Sequence, residues 1–405
     1  MKNFIFISLL FAMLLMAGCA GIGGQQQTKT TEKATDQKTT GNKMMENKSK
    51  EQKISKETVK FGAVVPLTGS LANLGAGIRD AMLLAVEDVN KAGGINGKML
   101  ELQVEDTGCD PGKAVPAVDK LVSVDKVIAI AGPTCSGESL ATAQMLSDNL
   151  VPAVSESATS PDLTLKGGDY WFRVVPSDLA QGKVAAAYAR EKLGAKRAAM
   201  LYLNNDWGVG LKEAFKNNFK EMGGAIAIEE SMEKDTTDVR TQVTKIRALN
   251  VDTVYLACYP AECAVALKQM HDLGMKVNVI GADGGDDPTT LAQLGDAAEG
   301  FTVTIASATA ASEDFKAEYN DKYGKEAGAY AAQAYDAVRV LAEAAKKGSG
   351  EDMKNALYGI DYAGASGPIK FDENGDLAAS AVYDLKKWTG GQFQVLEQMT
   401  VDLSG

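Results

Sequence analysis

Two runs of small hydroxyl residues carry the first chemistry legible in this chain. Gly132-Pro133-Thr134-Cys135-Ser136-Gly137-Glu138 follows the apolar stretch Val127 to Ala131, and Ser155-Glu156-Ser157-Ala158-Thr159-Ser160-Pro161 follows Val151 to Val154. Each reads as the carboxyl end of a buried strand. Leu140, Ala143, Met145 and Leu146 recur at helical spacing, so the first run opens a helix that ends near Asn149. A helix start presents unpaired backbone N–H groups and a partial positive charge, and Ser136 adds a hydroxyl at the same point. That combination accepts an anion, and a single carboxylate fits it well. A serine there also serves as an ordinary cap. Two such mouths on adjacent strands, however, match the place where open α/β sheets collect ligands.

A second constellation has the opposite charge. Asp283-Gly284-Gly285-Asp286-Asp287 follows the apolar strand Val277 to Gly281, which puts the Asp283 carboxylate at a strand's carboxyl end, where it can hold an ammonium. Solvated turn and cap roles are the competing account of all three aspartates. Trp207 and Tyr259 stand just after the strands Ala198 to Leu203 and Thr253 to Ala257. Aromatics at such mouths close over an apolar ligand, or simply pack in a core. Anion donors, a carboxylate and two aromatic walls together suit a zwitterion with an apolar side chain.

Other chemistries lack their residues. His271 is the only histidine in the chain, and it sits on a helical pattern with Ala264, Leu267, Lys268 and Met270. No metal-spaced cysteines or carboxylates accompany it, so it reads as a solvent-facing structural residue rather than part of a triad or zinc site. Gly93 to Lys98 lacks the spacing and the following Ser or Thr of a phosphate loop, and Gly208-Val209-Gly210 is half of a dinucleotide fingerprint. Asp372 to Asp376 resembles the start of a calcium loop, but the residue where the closing Glu belongs is Tyr383, so the segment reads as a turn.

The 405 residues suggest two domains with additional segments, and 45% hydrophobic with 23% charged residues describes a globular protein. A formal net charge of -11, with no basic stripe, argues against a nucleic-acid partner. Lys2 followed by the apolar run Phe4 to Met16 and then Ala17-Gly18-Cys19 has the build of a secretory signal. Small residues before Cys19 resemble a lipoprotein cleavage site, with Met16 in place of the usual Leu, so Cys19 is expected to carry lipid. Of the five cysteines, Cys109, Cys135, Cys258 and Cys263 then remain, an even number for an oxidising compartment. Among the three possible pairings Cys109 with Cys135 and Cys258 with Cys263 is favoured, although two free thiols at 258 and 263 are an equal alternative. The stretch Ala20 to Lys56 is polar and reads as a stalk.

From Glu57 onward strands and helices alternate with short connections, which implies parallel sheets covered by helices. The first set runs to Val174. A second begins near Pro176 and ends with the strand Val277 to Gly281. Helices are then expected over Glu313 to Tyr323, Tyr330 to Lys347 and Asp352 to Leu357, followed by a hairpin on Asn374-Gly375 and a last stretch from Val382 to Leu396.

From about Val59 to Leu396 the chain resembles the type I periplasmic-binding-protein family, in the leucine-isoleucine-valine-binding branch that feeds ABC transporters. Gly62-Ala63-Val64-Val65-Pro66-Leu67-Thr68-Gly69, Gly93-Gly94-Ile95-Asn96-Gly97 and Asp106-Thr107-Gly108-Cys109-Asp110-Pro111 carry the resemblance. Ser157 to Pro161 with Leu163-Thr164, and Gly295 to Gly300, extend it in the same order. The resemblance implies two Rossmann-like α/β lobes with parallel sheets, joined by a three-strand hinge with crossings near Pro176, Phe301 and Tyr383. Residues 57–176 and 302–382 would form lobe I and 177–301 with 383–405 lobe II, after a signal peptide over 1–18 and a stalk over 19–56. It further implies that Ser136 and Thr159 hold a ligand carboxylate and that the Ser157 carbonyl accepts from the ligand ammonium. Asp283 would pair with that ammonium, and Leu74, Trp207 and Tyr259 would wall the side chain. Cys109 and Cys135 match the family's lobe-one disulfide.

Three departures bear on specificity. Asp283 is one methylene shorter than the expected Glu, Leu74 replaces a bulkier aromatic seen in some members, and Cys258 with Cys263 is not a general family feature. The expectation is a lipid-anchored extracytoplasmic binding protein, not an enzyme and without cofactor or metal. It would capture a neutral, branched-chain amino acid and present it to an ABC permease. A ligand-binding sensor subunit, or a binder of an amide, urea or aromatic acid, is the alternative.

Overall fold

Helices on both faces of a sheet bury its strands completely, and β1 (Thr58–Val65) shows this in its last five residues, all of them buried. The computed structural model describes residues 57–307, 311–378 and 380–402. The expected signal, the lipid site Cys19 and the stalk lie outside the described residues. After β1 come α1 (Ala72–Lys91), β2 (Met99–Asp106), α2 (Pro111–Asp119), β3 (Ala129–Ala131), α3 (Ser136–Asp148), β4 (Ala153–Ser155), α4 (Asp162–Lys166) and β5 (Trp171–Arg173). These strands make one parallel sheet in the order β2-β1-β3-β4-β5. Helix α2 runs on into a wider π turn over Lys120–Val124.

A second sheet gathers the next strands. The order along the chain is α5 (Asp178–Ala187), β6 (Arg197–Leu203), α6 (Asp206–Glu221), β7 (Ala225–Met232), α7 (Arg240–Arg247), β8 (Thr253–Ala257), α8 (Pro260–Asp272), β9 (Asn278–Gly281), α9 (Pro288–Ala292) and β10 (Thr302–Ala306). Helices α10 (Glu313–Tyr323), α11 (Ala331–Ala345) and α12 (Glu351–Tyr358) follow, then the short pair β11 (Tyr362–Gly364) and β12 (Gly367–Ile369), and finally β13 (Ala381–Thr389) and β14 (Gln392–Val401). The seven-stranded order is β14-β13-β10-β9-β8-β6-β7.

This sheet is not wholly parallel: β10 pairs parallel to β9 but antiparallel to β13, and β13 turns back into β14. The hairpin therefore turns on Gly390-Gly391, both at positive φ (61° and 85°), where the backbone needs residues without a Cβ. The expected hairpin on Asn374-Gly375 is a tight turn closed by a single bridge between Phe371 and Leu377. Because β10 belongs to the second sheet, the chain passes between the sheets after Ala306 rather than near Phe301.

The first sheet is covered by α1 and α11, which pack against each other, with α11 also resting on β3 and β4. Ile78, Ala81, Met82 and Ala85 of α1 and Ala334, Val338 and Leu341 of α11 are completely buried there. The second core centres on Tyr255 and Phe215, stacked with centroids 4.2 Å apart. One buried cation ties the loop after β4 to the return segment. Arg173, fully buried, pairs through Nε with Asp376 Oδ1 at 2.7 Å. Its Nη1 donates to the carbonyls of Thr159 and Ser160, each at 3.0 Å. Asp372 Oδ1 in turn accepts from the N–H groups of Asn374 and Asp376, so the acidic 372–376 segment is a turn, as its sequence reads.

Candidate functional site

The two sheets present the carboxyl ends of their strands to one cleft. Lobe one contributes Leu71 and Leu74 of the α1 start, Thr134, Cys135 and Ser136 after β3, Ser157 after β4, and Ala329 and Tyr330 before α11. Lobe two contributes Trp207, Tyr259, Pro260, Asp283, Gly284, Asp286 and Asp287. Six of the seven ligand-contacting residues expected from the sequence thus face one space. Thr159 is buried but does not line the cleft; its carbonyl accepts from the N–H of Asp178 and from Arg173.

The donor end is built as the hydroxyl runs suggest. α3 starts at Ser136, which is 2% exposed. Ser136 Oγ accepts from the Ser160 N–H at 3.1 Å, which leaves its own hydrogen for the cleft. Ser157 Oγ donates to the Thr134 carbonyl at 2.8 Å, fastening the two hydroxyl runs together. The Cys109–Cys135 disulfide, with Cα atoms 5.6 Å apart, fixes the loop after β2 to this mouth. Glu138 braces the same loop by accepting from the Asp110 N–H.

The acceptor end is Asp283, in the single 3₁₀ turn after β9. Its Oδ2 accepts from Tyr330 Oη at 2.7 Å, and its Oδ1 has no partner among the described residues. Burial pushes its carboxyl above the ordinary value. Asp178, at the start of α5, is wholly buried, neither of its oxygens has a hydrogen-bond partner among the described residues, and burial together with the Asp283 charge raises its carboxyl well above the ordinary range. A cationic group near Asp283 would therefore meet an environment short of positive charge.

The apolar wall is a stacked pair, Trp207 on Tyr259, with centroids 4.9 Å apart and planes 16° from parallel. Gly284 lies against it: a Cβ there would come within 2.8 Å of the Trp207 ring and 2.6 Å of the Cys258 carbonyl. Cys258 and Cys263 lie at disulfide distance across the start of α8. His271 is exposed beside Asp272, far from any constellation that would use it. The described residues hold no group of three or more metal-ligating side chains.

The lobes are drawn together. Besides Tyr330 to Asp283, Ser160 Oγ donates to the Asp206 carbonyl at 3.2 Å, and Lys234 Nζ donates to the carbonyls of Gly108 and Cys109 at 2.9 and 3.2 Å. Sequence reasoning missed Tyr330, Thr134 and Leu71 as lining residues. Tyr330 is marked in the structure by its backbone, not in the sequence. It precedes a helix in the left-handed region at φ 59°, an uncommon conformation for an aromatic, of the kind that gathers at functional sites.

Two α/β lobes closing on a cleft with donors on one wall and a carboxylate on the other define a solute-binding protein. The chain belongs to the periplasmic binding protein family, whose model matches residues 58–392. The Leu/Ile/Val-binding protein BraC3 of Rhizobium johnstonii is 33% identical over 346 residues, spanning 84% of this chain and 94% of that protein. The substrate-binding protein LivJ of Streptococcus pneumoniae, solved in complex with isoleucine, superposes with a TM-score of 0.77 at 29% identity, covering 85% of this chain and 100% of that one. A solute-binding protein from Rhodopseudomonas palustris in complex with 3,4-dihydroxybenzoic acid superposes with a TM-score of 0.75 at 25% identity, covering 85% of this chain and 98% of that one. Family membership implies a location outside the cytoplasm. No helix among the described residues is long and apolar enough to cross a membrane.

Proposed function

We propose that the protein captures a neutral, branched-chain amino acid between its lobes and delivers it to an ABC permease, without chemical change to the ligand. The carrying observation is that Asp283, whose Oδ1 has no hydrogen-bond partner among the described residues, lines the same cleft as the Ser136 helix start. The carboxylate of the amino acid takes the N–H groups at the start of α3 with the Ser136 hydroxyl, and its ammonium takes Asp283 and the Ser157 carbonyl. Leu74, Trp207 and Tyr259 wall the side chain. Thr159 supports the carboxylate end from behind the lining. The relatives named for Leu, Ile and Val support the choice of side chain.

A planar aromatic acid is the second reading, favoured by the stacked Trp207 and Tyr259 and by the dihydroxybenzoate complex of one relative. It leaves Asp283 buried without a cation, which costs several kcal/mol, roughly the penalty of an unpaired buried charge. The amino acid is therefore preferred. Native mass spectrometry of the protein as purified, followed by calorimetric titration with leucine, isoleucine, valine and benzoate, tests the choice; tight binding of benzoate with no amino-acid heat would reverse it.

The N-terminal pattern ending in Ala17-Gly18-Cys19 supports lipid attachment at Cys19 after removal of 1–18, with 19–56 as the tether. Cys19→Ser is expected to release the protein from the membrane fraction. Retention of that variant on membranes would remove the lipid from the scheme.

A further inference from the structure

Beneath the donor end of the cleft lies a carboxyl group that the scheme above does not use. Glu156 follows β4 and is completely buried. Its Oε1 lies 2.7 Å from Oγ1 of the cleft-lining Thr134, and its Oε2 has no partner among the described residues. Thr134 Oγ1 is also 3.2 Å from the Val64 carbonyl. A threonine hydroxyl has a single hydrogen. When Glu156 is ionised, that hydrogen is drawn to the carboxylate or to Val64 and is not offered to the cleft. When Glu156 is protonated, its own O–H donates to Thr134 Oγ1, and the threonine hydrogen is freed for the Val64 carbonyl or for a stronger acceptor, such as a ligand carboxylate, that reaches it from the cleft. An arriving carboxylate needs donors and is repelled by a buried negative charge, so it selects the protonated form.

The charged surroundings favour that form. Glu138 of α3 is a second buried acid whose charge acts against ionisation of Glu156. Lys234 acts on Glu138 but is bonded to the carbonyls of Gly108 and Cys109. From α11, Asp336 is taken by the 365–366 backbone and Ser366, and Arg339 by Tyr335 and Tyr362. From β5, Arg173 is taken by Asp376 and the 159–164 loop. From α1, Arg79 pairs with Asp80, as does Lys325. None of these cations is bonded to Glu156. Burial pushes the Glu156 carboxyl up to about 7, with Glu138 adding to the rise and the Thr134 hydrogen bond opposing it.

We propose that Glu156 is a proton-carrying determinant of affinity: the ligand carboxylate binds together with a proton on Glu156, which turns Thr134 into a donor toward it. The inference rests on the reading of the cleft as a site for a carboxylate ligand. Ligand binding near neutral pH then takes up part of a proton at this residue, and affinity falls as pH rises through and above 7.

The test is calorimetric titration of isoleucine into the full mature protein and its Glu156→Gln variant, at about pH 6, 7 and 8.5, in buffers of different ionisation enthalpy. Proton exchange at Asp283 and at the ligand ammonium is common to both proteins, so their difference isolates Glu156. The wild type is expected to take up a larger fraction of a proton than the variant near pH 7.5. It should lose affinity on the order of tenfold from pH 6 to 8.5, while the variant gives a much flatter profile. Equal proton counts and parallel profiles would overturn the inference. Should Glu156→Gln fail to fold, Thr134→Val serves instead. It keeps the carboxyl but removes the relay, and is expected to lose affinity most at low pH; an unaltered pH profile would again overturn the role. Absence of any amino-acid binding by the wild type at every pH would overturn the reading of the cleft itself, and this inference with it.

Discussion

Tyr330 Oη donates to Asp283 Oδ2 at 2.7 Å, joining the residue before α11 on one lobe to the loop after β9 on the other. The contact occupies one carboxylate oxygen and leaves the other for a ligand. It also couples closure of the lobes to the orientation of the acceptor. Tyr330→Phe removes one hydrogen bond to an acid and keeps the ring, so amino-acid affinity is expected to fall roughly 5- to 30-fold, about 1 to 2 kcal/mol. Calorimetry checks this, with circular dichroism to establish an unchanged fold. Unaltered affinity would show that Asp283 does not depend on Tyr330.

Asp283 itself has the larger role. Asp283→Ala leaves the ligand ammonium buried without its partner, at a cost of roughly 3 kcal/mol or more, on the order of a hundredfold in affinity. The loss should be the same for leucine, isoleucine and valine, because all share the ammonium. A loss confined to one of them would instead place Asp283 beside the side chain.

Arg173 holds the 159–164 loop behind the donor wall, and it is fully buried against Asp376. Arg173→Met strands that carboxylate and two carbonyls, and is expected to destabilise the fold by roughly 3 to 5 kcal/mol. Denaturant unfolding followed by circular dichroism measures it. A loss below about 1 kcal/mol, within the range of a surface ion pair, would mean that Asp376 and the loop are held by other contacts.

The stability of the unliganded protein should carry the signature of Glu156. Its carboxyl titrates at about 7 in the folded state against an ordinary 4.5, so between these values the folded state binds the proton more tightly than the unfolded one. The associated stability is fully present below about pH 4.5 and is lost as pH rises through 7, with roughly 3 kcal/mol gone above it. Glu156→Gln has no proton to lose. Its melting temperature should therefore gain on that of the wild type between about pH 5 and 8, while other raised carboxyls such as Asp336 act equally in both proteins. Parallel melting curves would contradict the assignment.

Much of the site was legible because each of its chemistries sits at a strand end, and a strand end is marked locally. The apolar run Val127 to Ala131 stops at a Gly-Pro and gives way to hydroxyls, which placed Ser136 at a helix start, and Gly281 gives way to Asp283 in the same manner. What escaped depended on which strand neighbours which. β10 has no counterpart among the expected strands, and it joins the hairpin β13–β14 in the second sheet. Periodicity along one strand carries no information about that partner. Tyr330 escaped for a similar reason: it is far from Asp283 in sequence, and only the packing of α11 on α1 and β3 brings it to the cleft. Glu156 sits within a hydroxyl run in the sequence, but its burial follows from the layers above and below the sheet.

The central claim is that the cleft reads both charged ends of an amino acid. Its most direct test is calorimetric titration with leucine, its amide leucinamide, and its des-amino analogue 4-methylpentanoate, which share one side chain and differ only at the two ends. Leucine is expected to bind, with both analogues weaker on the order of a hundredfold or more, each having lost one charged partner. Binding of either analogue as tight as that of leucine would show that the Ser136 helix start or Asp283, respectively, does not contact the ligand, and would contradict the account.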